Sequence, residues 1–240
     1  MPRLALVTGG TRGIGSGIAI ALKSAGYKVV VNYHRDDKGA KEFEEKNDIP
    51  IDKWDVGDLS ACQAGIERVA ECHGNVDILV NNAGTVSDAK FENMSDEQWQ
   101  QVLRINLDSV FFMCKQVYPY MMSQKWGRII NIGSMNGQAG QLNQVNYVAA
   151  KAGMHGFTKA LAHEGAKHGI TVNTVAPGYV DTYLMRDMPD RILDKIVDKT
   201  PIHRLGEEAE VGHAVIFLAD EKSSWTTGST VTLNGGTHMY

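Results

Sequence analysis

An apolar run that stops abruptly on glycine constrains this chain more than any other feature. Residues 4–7 read LALV, too short for a stable helix and apolar enough for a parallel strand buried on both faces. The run passes directly into Thr8-Gly9-Gly10-Thr11-Arg12-Gly13-Ile14-Gly15, and an amphipathic stretch then continues to Gly26. Glycines at 9, 13 and 15 let the backbone turn tightly and approach a pyrophosphate, which then rests on the positive end of the following helix. The spacing is G-x-x-x-G-x-G, and a bare glycine cluster can be no more than a tight turn. Its place after the first strand makes nucleotide binding the favoured reading.

The same alternation repeats along the chain. Short apolar or β-branched runs at 3–8, 28–32, 50–55, 76–80, 127–133, 170–175 and 229–233 predict strands, with helical stretches between them. Strand, helix, strand implies an α/β chain with a doubly wound parallel sheet of about seven strands and helices on both faces. No linker, charge block or repeat divides the 240 residues, so one domain spanning 1–240 is expected; 43 % apolar content suffices for a large core. Residues 179–200 fit no core strand and are read as a mobile flap over the site. A net charge of −4 offers no general attraction to nucleic acid or an anionic membrane, which leaves small molecules and copies of the chain itself as partners. There is no run of eighteen apolar residues, and MPRLALVTGG lacks the features of a signal peptide, so a cytoplasmic protein is expected. Cys62, Cys72 and Cys114 are odd in number and without metal-ligand spacing, which favours ordinary reduced thiols and no metal.

Chemistry is concentrated further along. Ser134 is followed thirteen residues later by Tyr147, and Lys151 lies four residues beyond, one helical turn from the tyrosine and on the same face. A phenol ordinarily titrates near pH 10, and an ammonium beside it favours the phenolate; reaching neutrality takes about three units, or roughly 4 kcal/mol. Acyl hydrolysis is the competing chemistry for a chain with eight histidines, but there is no G-x-S-x-G elbow, and His155 and His163 read as structural or surface residues.

Taken together, T-G-x-x-x-G-x-G, N-N-A-G at Asn81-Asn82-Ala83-Gly84, the Ser134/Tyr147/Lys151 set and Pro177-Gly178 resemble the short-chain dehydrogenase/reductase family across nearly the whole chain. The resemblance implies a Rossmann-like fold and a nicotinamide cofactor. It implies Tyr147 as general acid, Ser134 as a hydroxyl donor to the substrate oxygen, Lys151 as the cation serving Tyr147 and the ribose, and Asn106 as the holder of a relay water. The cofactor site it implies comprises Gly9, Thr11, Arg12, Gly13, Ile14, Gly15, Asn32, Arg35, Asp55, Asn82, Ala83, Gly84, Tyr147, Lys151, Pro177, Gly178, Val180 and Thr182. Within that set Asp55 stands at the adenine and Thr182 at the carboxamide, although Asp181 and Tyr183 depart from the commoner P-G-x-x-x-T-D pattern. An inert nucleotide-binding scaffold of the same fold is the alternative from another class; the complete Asn106/Ser134/Tyr147/Lys151 set opposes it.

Cofactor choice turns on the end of the second strand. Asn32-Tyr33-His34-Arg35 places no acid there to bind a ribose 2′-hydroxyl, whereas Arg12 and Arg35 can reach a 2′-phosphate as charge-assisted donors. NADPH is therefore expected over NADH, tempered by Asp36 and Asp37. For the substrate, residues 136–147 read NGQAGQLNQVNY and, with the NGGTHM ending, resemble bacterial acetoacetyl-CoA reductases; reductases of 3-oxoacyl groups on acyl carrier protein are the alternative. The expectation is NADPH-dependent reduction of acetoacetyl-CoA to (R)-3-hydroxybutanoyl-CoA by a homotetramer, as in polyhydroxyalkanoate monomer supply. Gln141 and Gln144 can donate amide hydrogens to the acyl oxygens. Asp88 and Tyr179, with Ser134 and Tyr147, match family positions around the acyl group, and Leu142 stands there where the family often has an aromatic.

Overall fold

The computed structural model describes residues 2–186 and 188–239, and among them seven strands join in one parallel sheet. In chain order they are β1 (Leu4–Thr8), β2 (Lys28–Tyr33), β3 (Ile51–Lys53), β4 (Ile78–Asn81), β5 (Gly127–Ile132), β6 (Ile170–Pro177) and β7 (Thr230–Leu233). Their order across the sheet is β3-β2-β1-β4-β5-β6-β7. Each expected strand is present; β3 is shorter than its sequence pattern and β6 runs on to Pro177. The crossovers are α1 (Gly13–Ser24), α2 (Asp37–Asn47), α3 (Leu59–His73), α4 (Asp96–Leu103), α5 (Ser109–Gln124), the single turn α6 (Asn136–Ala139), α7 (Val145–Ala166), α8 (Tyr183–Arg186), α9 (Asp190–Lys199) and α10 (Glu208–Ala219).

Side-chain alternation along the strands sorts the core into two layers. Ala5, Val7, Val29, Val31, Ile78 and Val80 face one side, where Ile18 and Leu22 of α1 and Val211, Val215 and Leu218 of α10 cover them. Leu4, Leu6, Val30, Leu79 and Ile129 face the other, beneath Val69 of α3, Val110, Met113 and Val117 of α5 and Met154 of α7. Each such fully buried aliphatic side chain contributes about 1.5–3 kcal/mol, and both faces must be covered because a parallel sheet has no wet side.

β1 and β4 are neighbours, and the crossovers leave them in opposite directions across the sheet. A crevice opens there at the strand carboxyl ends. Arg104–Asp108 forms a π turn between α4 and α5. The buried Asn106 amide donates to the Val102 carbonyl (2.9 Å) and to the Thr85 carbonyl outside the helix (2.8 Å), which widens the ladder at this point. The expected flap contains α8, α9 and an isolated bridge between Val180 and Gly206; its residue 187 lies outside the described residues.

Candidate active site

The crevice holds a cleft of about 610 Å³ that reaches from the ends of β1 and β2 to the head of α7. Its floor is a lock between two sequence motifs. Thr8 Oγ1 accepts from the backbone amides of Asn82 and Ala83, both at 3.0 Å, and the Asn82 side chain donates to the carbonyls of Thr8 (2.9 Å) and Gly9 (3.1 Å). Gly9 and Gly13 adopt φ of 60° and 55°, which side chains resist. A Cβ on Gly15 would press on the Gly9 carbonyl and stand 2.5 Å from the Asn82 amide nitrogen. The glycine turn is thereby shaped for backbone approach, with the amino end of α1 behind it, and suits a dinucleotide pyrophosphate. Thr11, Arg12, Ile14, Ala83 and Gly84 line the same cleft.

At its outer end the cleft is bordered by Asn32, Arg35 and Asp55, together with Tyr33, His34, Asp36 and Trp54. Asn32 is buried, and its amide is spent on the Trp54 carbonyl (3.0 Å) and the Tyr33 carbonyl (3.2 Å), so its side chain holds β2 to the segment after β3. Asp55 accepts from the Gly57 amide (2.8 Å) and lies 3.5 Å from Arg104 and 4.0 Å from His34 Nδ1. Asp36 caps α2 through the Gly39 amide (2.9 Å), which ties its carboxylate to that helix. Arg35 is exposed at the rim, and the Arg12 guanidinium stands 4.8 Å over the Tyr183 ring.

Tyr147 and Lys151 form the inner wall with Asn106, Ile132 and Gly133. Lys151 is 3 % exposed, and its Nζ donates to the Ile132 carbonyl (2.7 Å). Burial pushes its pKa down to about 8. A hydrogen bond links the side chains of Tyr147 and Ser134, and Ser134 Oγ also accepts from the Asn136 amide (3.1 Å). The expectation that Lys151 lowers the Tyr147 pKa is overturned here: burial raises it above the usual phenol value, the Ser134 bond offsets part of that, and the Asp88 carboxylate adds to it. The ammonium is 5.7 Å from the ring centroid and its hydrogen bond goes to the Ile132 carbonyl, and burial outweighs it at the phenol.

The substrate-side residues are more scattered. Gln144 Nε2 donates to both oxygens of Asp88 (3.1 and 2.9 Å), and its Oε1 accepts from Asn136 Nδ2 (3.0 Å). The amide expected to reach an acyl oxygen is thus clasped to a carboxylate. Gln141 and Leu142 are exposed, Leu142 at 83 %. Tyr179 and Val180 line a second cavity of about 290 Å³ with Arg204, Glu210 and Asn234, outside the main cleft. Pro177 and Gly178 are engaged in backbone bonds with Met135 and Leu233 (both 2.8 Å), while Thr182 reaches the cleft and Tyr183 joins it there.

Several cleft residues escaped the sequence reading: Tyr33, His34, Trp54, Thr85, Val86, Ile105 and Tyr183. Most adjoin a motif or a strand end, and that adjacency is the signal that finds them. Thr8, whose hydroxyl joins the two motifs, stands at the end of β1 and opens the glycine motif. Cys62 and Cys114 are buried, with thiols pushed up to about 12, and Cys72 is exposed; all three are free. Among the described residues no cluster of three or more His, Cys, Asp or Glu side chains is placed to hold a metal ion, and no helix is long and apolar enough to cross a membrane.

A family profile described as enoyl-(acyl carrier protein) reductase matches residues 9–238. The acetoacetyl-CoA reductase of Rhizobium meliloti is 52 % identical over the full length of both chains, and that of Shinella zoogloeoides is 49 % identical over 98 % of each. The 3-oxoacyl-[acyl-carrier-protein] reductase of Salmonella typhimurium is 42 % identical over 99 % of this chain and 98 % of its own.

Proposed function

This chain belongs to the short-chain dehydrogenase/reductase family, and from that premise we propose that it reduces acetoacetyl-CoA to (R)-3-hydroxybutanoyl-CoA with NADPH. The observation that carries the reading is the pairing of Tyr147 and the buried Lys151 on the wall of a glycine-floored cleft, with Ser134 hydrogen-bonded to Tyr147. Gly9, Gly13 and Gly15 fit a pyrophosphate, and Lys151 and Thr182 stand at the nicotinamide end. When bound, the cofactor supplies a hydride to C3 of the acetoacetyl group. Ser134 donates its hydroxyl hydrogen to the ketone oxygen and holds it toward Tyr147. Tyr147 gives its phenolic proton to the alkoxide, and solvent returns one; each turnover takes up one proton and yields one alcohol. The protonated phenol is the form that donates in this direction. The Lys151 cation compensates the phenolate formed on donation. With both amide hydrogens engaged, Asn106 contributes through the π turn that it holds open.

NADPH is favoured by Arg12 and Arg35 at the cleft and by the absence of an acid in β2, the nearby Asp36 being occupied as a helix cap. CoA is favoured as carrier by the higher identity to relatives named acetoacetyl-CoA reductase. Comparing purified protein on acetoacetyl-CoA and on acetoacetyl-acyl carrier protein tests this. Higher kcat/KM on the CoA thioester with R product is expected, and preference for the carrier protein would assign the chain to fatty acid synthesis.

The same reading makes the protein a cytoplasmic homotetramer that supplies hydroxyacyl monomers for polyhydroxyalkanoate. Exposed Trp99, Phe111 and Met122 on α4 and α5 favour pairing of the long helices across two-fold axes. A monomeric mass by light scattering would overturn the assembly. Residues 179–200 act as a lid, a role supported by the exposed Ile192 on α9. Hydrogen exchange there should slow when NADPH and acetoacetyl-CoA bind together; unchanged protection would remove the gating role.

A further inference from the structure

Asn146 is 0 % exposed, immediately precedes Tyr147, and has no part in the chemistry above. A buried amide is costly unless its bonds are made, and here they run to three places. Its Oδ1 accepts from the Tyr147 backbone amide (2.8 Å), while Nδ2 donates to the Ser87 carbonyl (3.0 Å) and the Gln98 carbonyl (3.3 Å). The first turn of a helix leaves its amides without intrahelical partners, and Gln144, the residue at the cap position of α7, makes no capping bond with its side chain. Asn146 supplies one from inside the helix.

Ser87 directly follows Thr85 and Val86, which continue the cleft lining from N-N-A-G. Asn106 pins that segment from the π turn through Thr85, and the Gln98 side chain adds a bond to Ser87 Oγ (3.0 Å). Farther along, the Ala89 amide donates to the Asn143 carbonyl (2.9 Å), just before α7 begins. The segment is therefore strung between the turn that carries Asn106 and the helix head that carries Tyr147.

We propose that Asn146 is a positioning residue for Tyr147: it fastens the head of α7 to the 85–89 segment and α4, and so fixes where the phenol meets the substrate oxygen. This rests on the reading of Tyr147 as proton donor. Misplacing a reacting group by about 1 Å can cost roughly a hundredfold, and nothing in this clasp touches the glycine turn.

Asn146→Ala should lower kcat with acetoacetyl-CoA about 10–100-fold while the NADPH dissociation constant by calorimetry stays within roughly threefold of wild type, the separation expected of a fault confined to the chemical step. Asn146→Asp keeps the acceptor for the Tyr147 amide but turns an oxygen onto the Ser87 and Gln98 carbonyls, and should lower kcat at least as far as Ala. A folded Asn146→Ala protein with kcat within about threefold of wild type, or with NADPH binding lost in proportion to kcat, would overturn the proposal. If the alanine variant does not fold, the aspartate variant is held to the same criteria. Undiminished turnover in Tyr147→Phe would defeat the underlying reading; a disabled Tyr147→Phe beside a normal Asn146→Ala would defeat only this inference.

Discussion

The cofactor half and the thioester half of the cleft are built from different materials. On the cofactor side, backbone carbonyls, glycines without room for a Cβ and the shared Thr8 hydroxyl lock two strand ends together. On the thioester side the contacts are between side chains on connecting segments: Gln144 clasps Asp88, Leu142 points to solvent, and Tyr179 opens onto a separate cavity. The first half is committed to one shape and hence to one class of ligand. The second is assembled from replaceable parts, which is where relatives of one fold come to differ in substrate.

Changes should therefore separate cleanly between binding and chemistry, beginning where chemistry is concentrated. Tyr147→Phe removes the proton donor and leaves the ring in the cleft, so kcat should drop about 10²–10⁴-fold with NADPH affinity nearly retained. A variant that turns over normally would break the distinction at its centre.

Next in size is the buried cation. Lys151 has a folded-state pKa depressed from 10.5 to about 8, so near neutrality the fold must ionise a dry ammonium that the unfolded chain carries freely. That cost is fully present below pH 8 and is relieved as pH rises toward 10.5, where the folded state has shed its proton and the unfolded state still holds one. Lys151→Met should stabilise the protein at pH 7 by roughly 2–3 kcal/mol, while turnover is lost. Denaturant titrations from pH 7 to 10 should show the gain shrinking; a variant less stable than wild type at pH 7 would show that the bond to Ile132 outweighs desolvation.

The smallest effect belongs to the rim. Arg12→Ala or Arg35→Ala should weaken NADPH but not NADH, by at most about 1 kcal/mol each because both side chains are exposed. Equal losses with both cofactors would sharpen the comparison differently, by assigning these arginines to the pyrophosphate.

Legibility followed the same division. All seven strands and the residues of the glycine turn, N-N-A-G and Tyr147/Lys151 could be read because each depends on local spacing: an apolar run, a turn that only glycine makes, one helical repeat. The π turn at Asn106 could not, since its cause is a bond to Thr85, a residue distant in sequence and brought near only by the sheet. Nor could the clasp of Gln144 on Asp88 or the three bonds of Asn146, whose partners lie on segments joined across the crevice. The Tyr147 titration was misjudged for a related reason. Spacing gave the proximity of Lys151 but not the burial that outweighs it.

The central claim is that the two halves work together as a reductase. Titrating NADPH into the purified chain by calorimetry and then following its absorbance on adding acetoacetyl-CoA tests it most directly. One NADPH bound per chain, followed by repeated oxidation with one NADPH consumed for each acetoacetyl-CoA reduced, is the predicted result. NADPH bound at that stoichiometry with no oxidation in the presence of the thioester would contradict it and leave the fold as a nucleotide-binding scaffold.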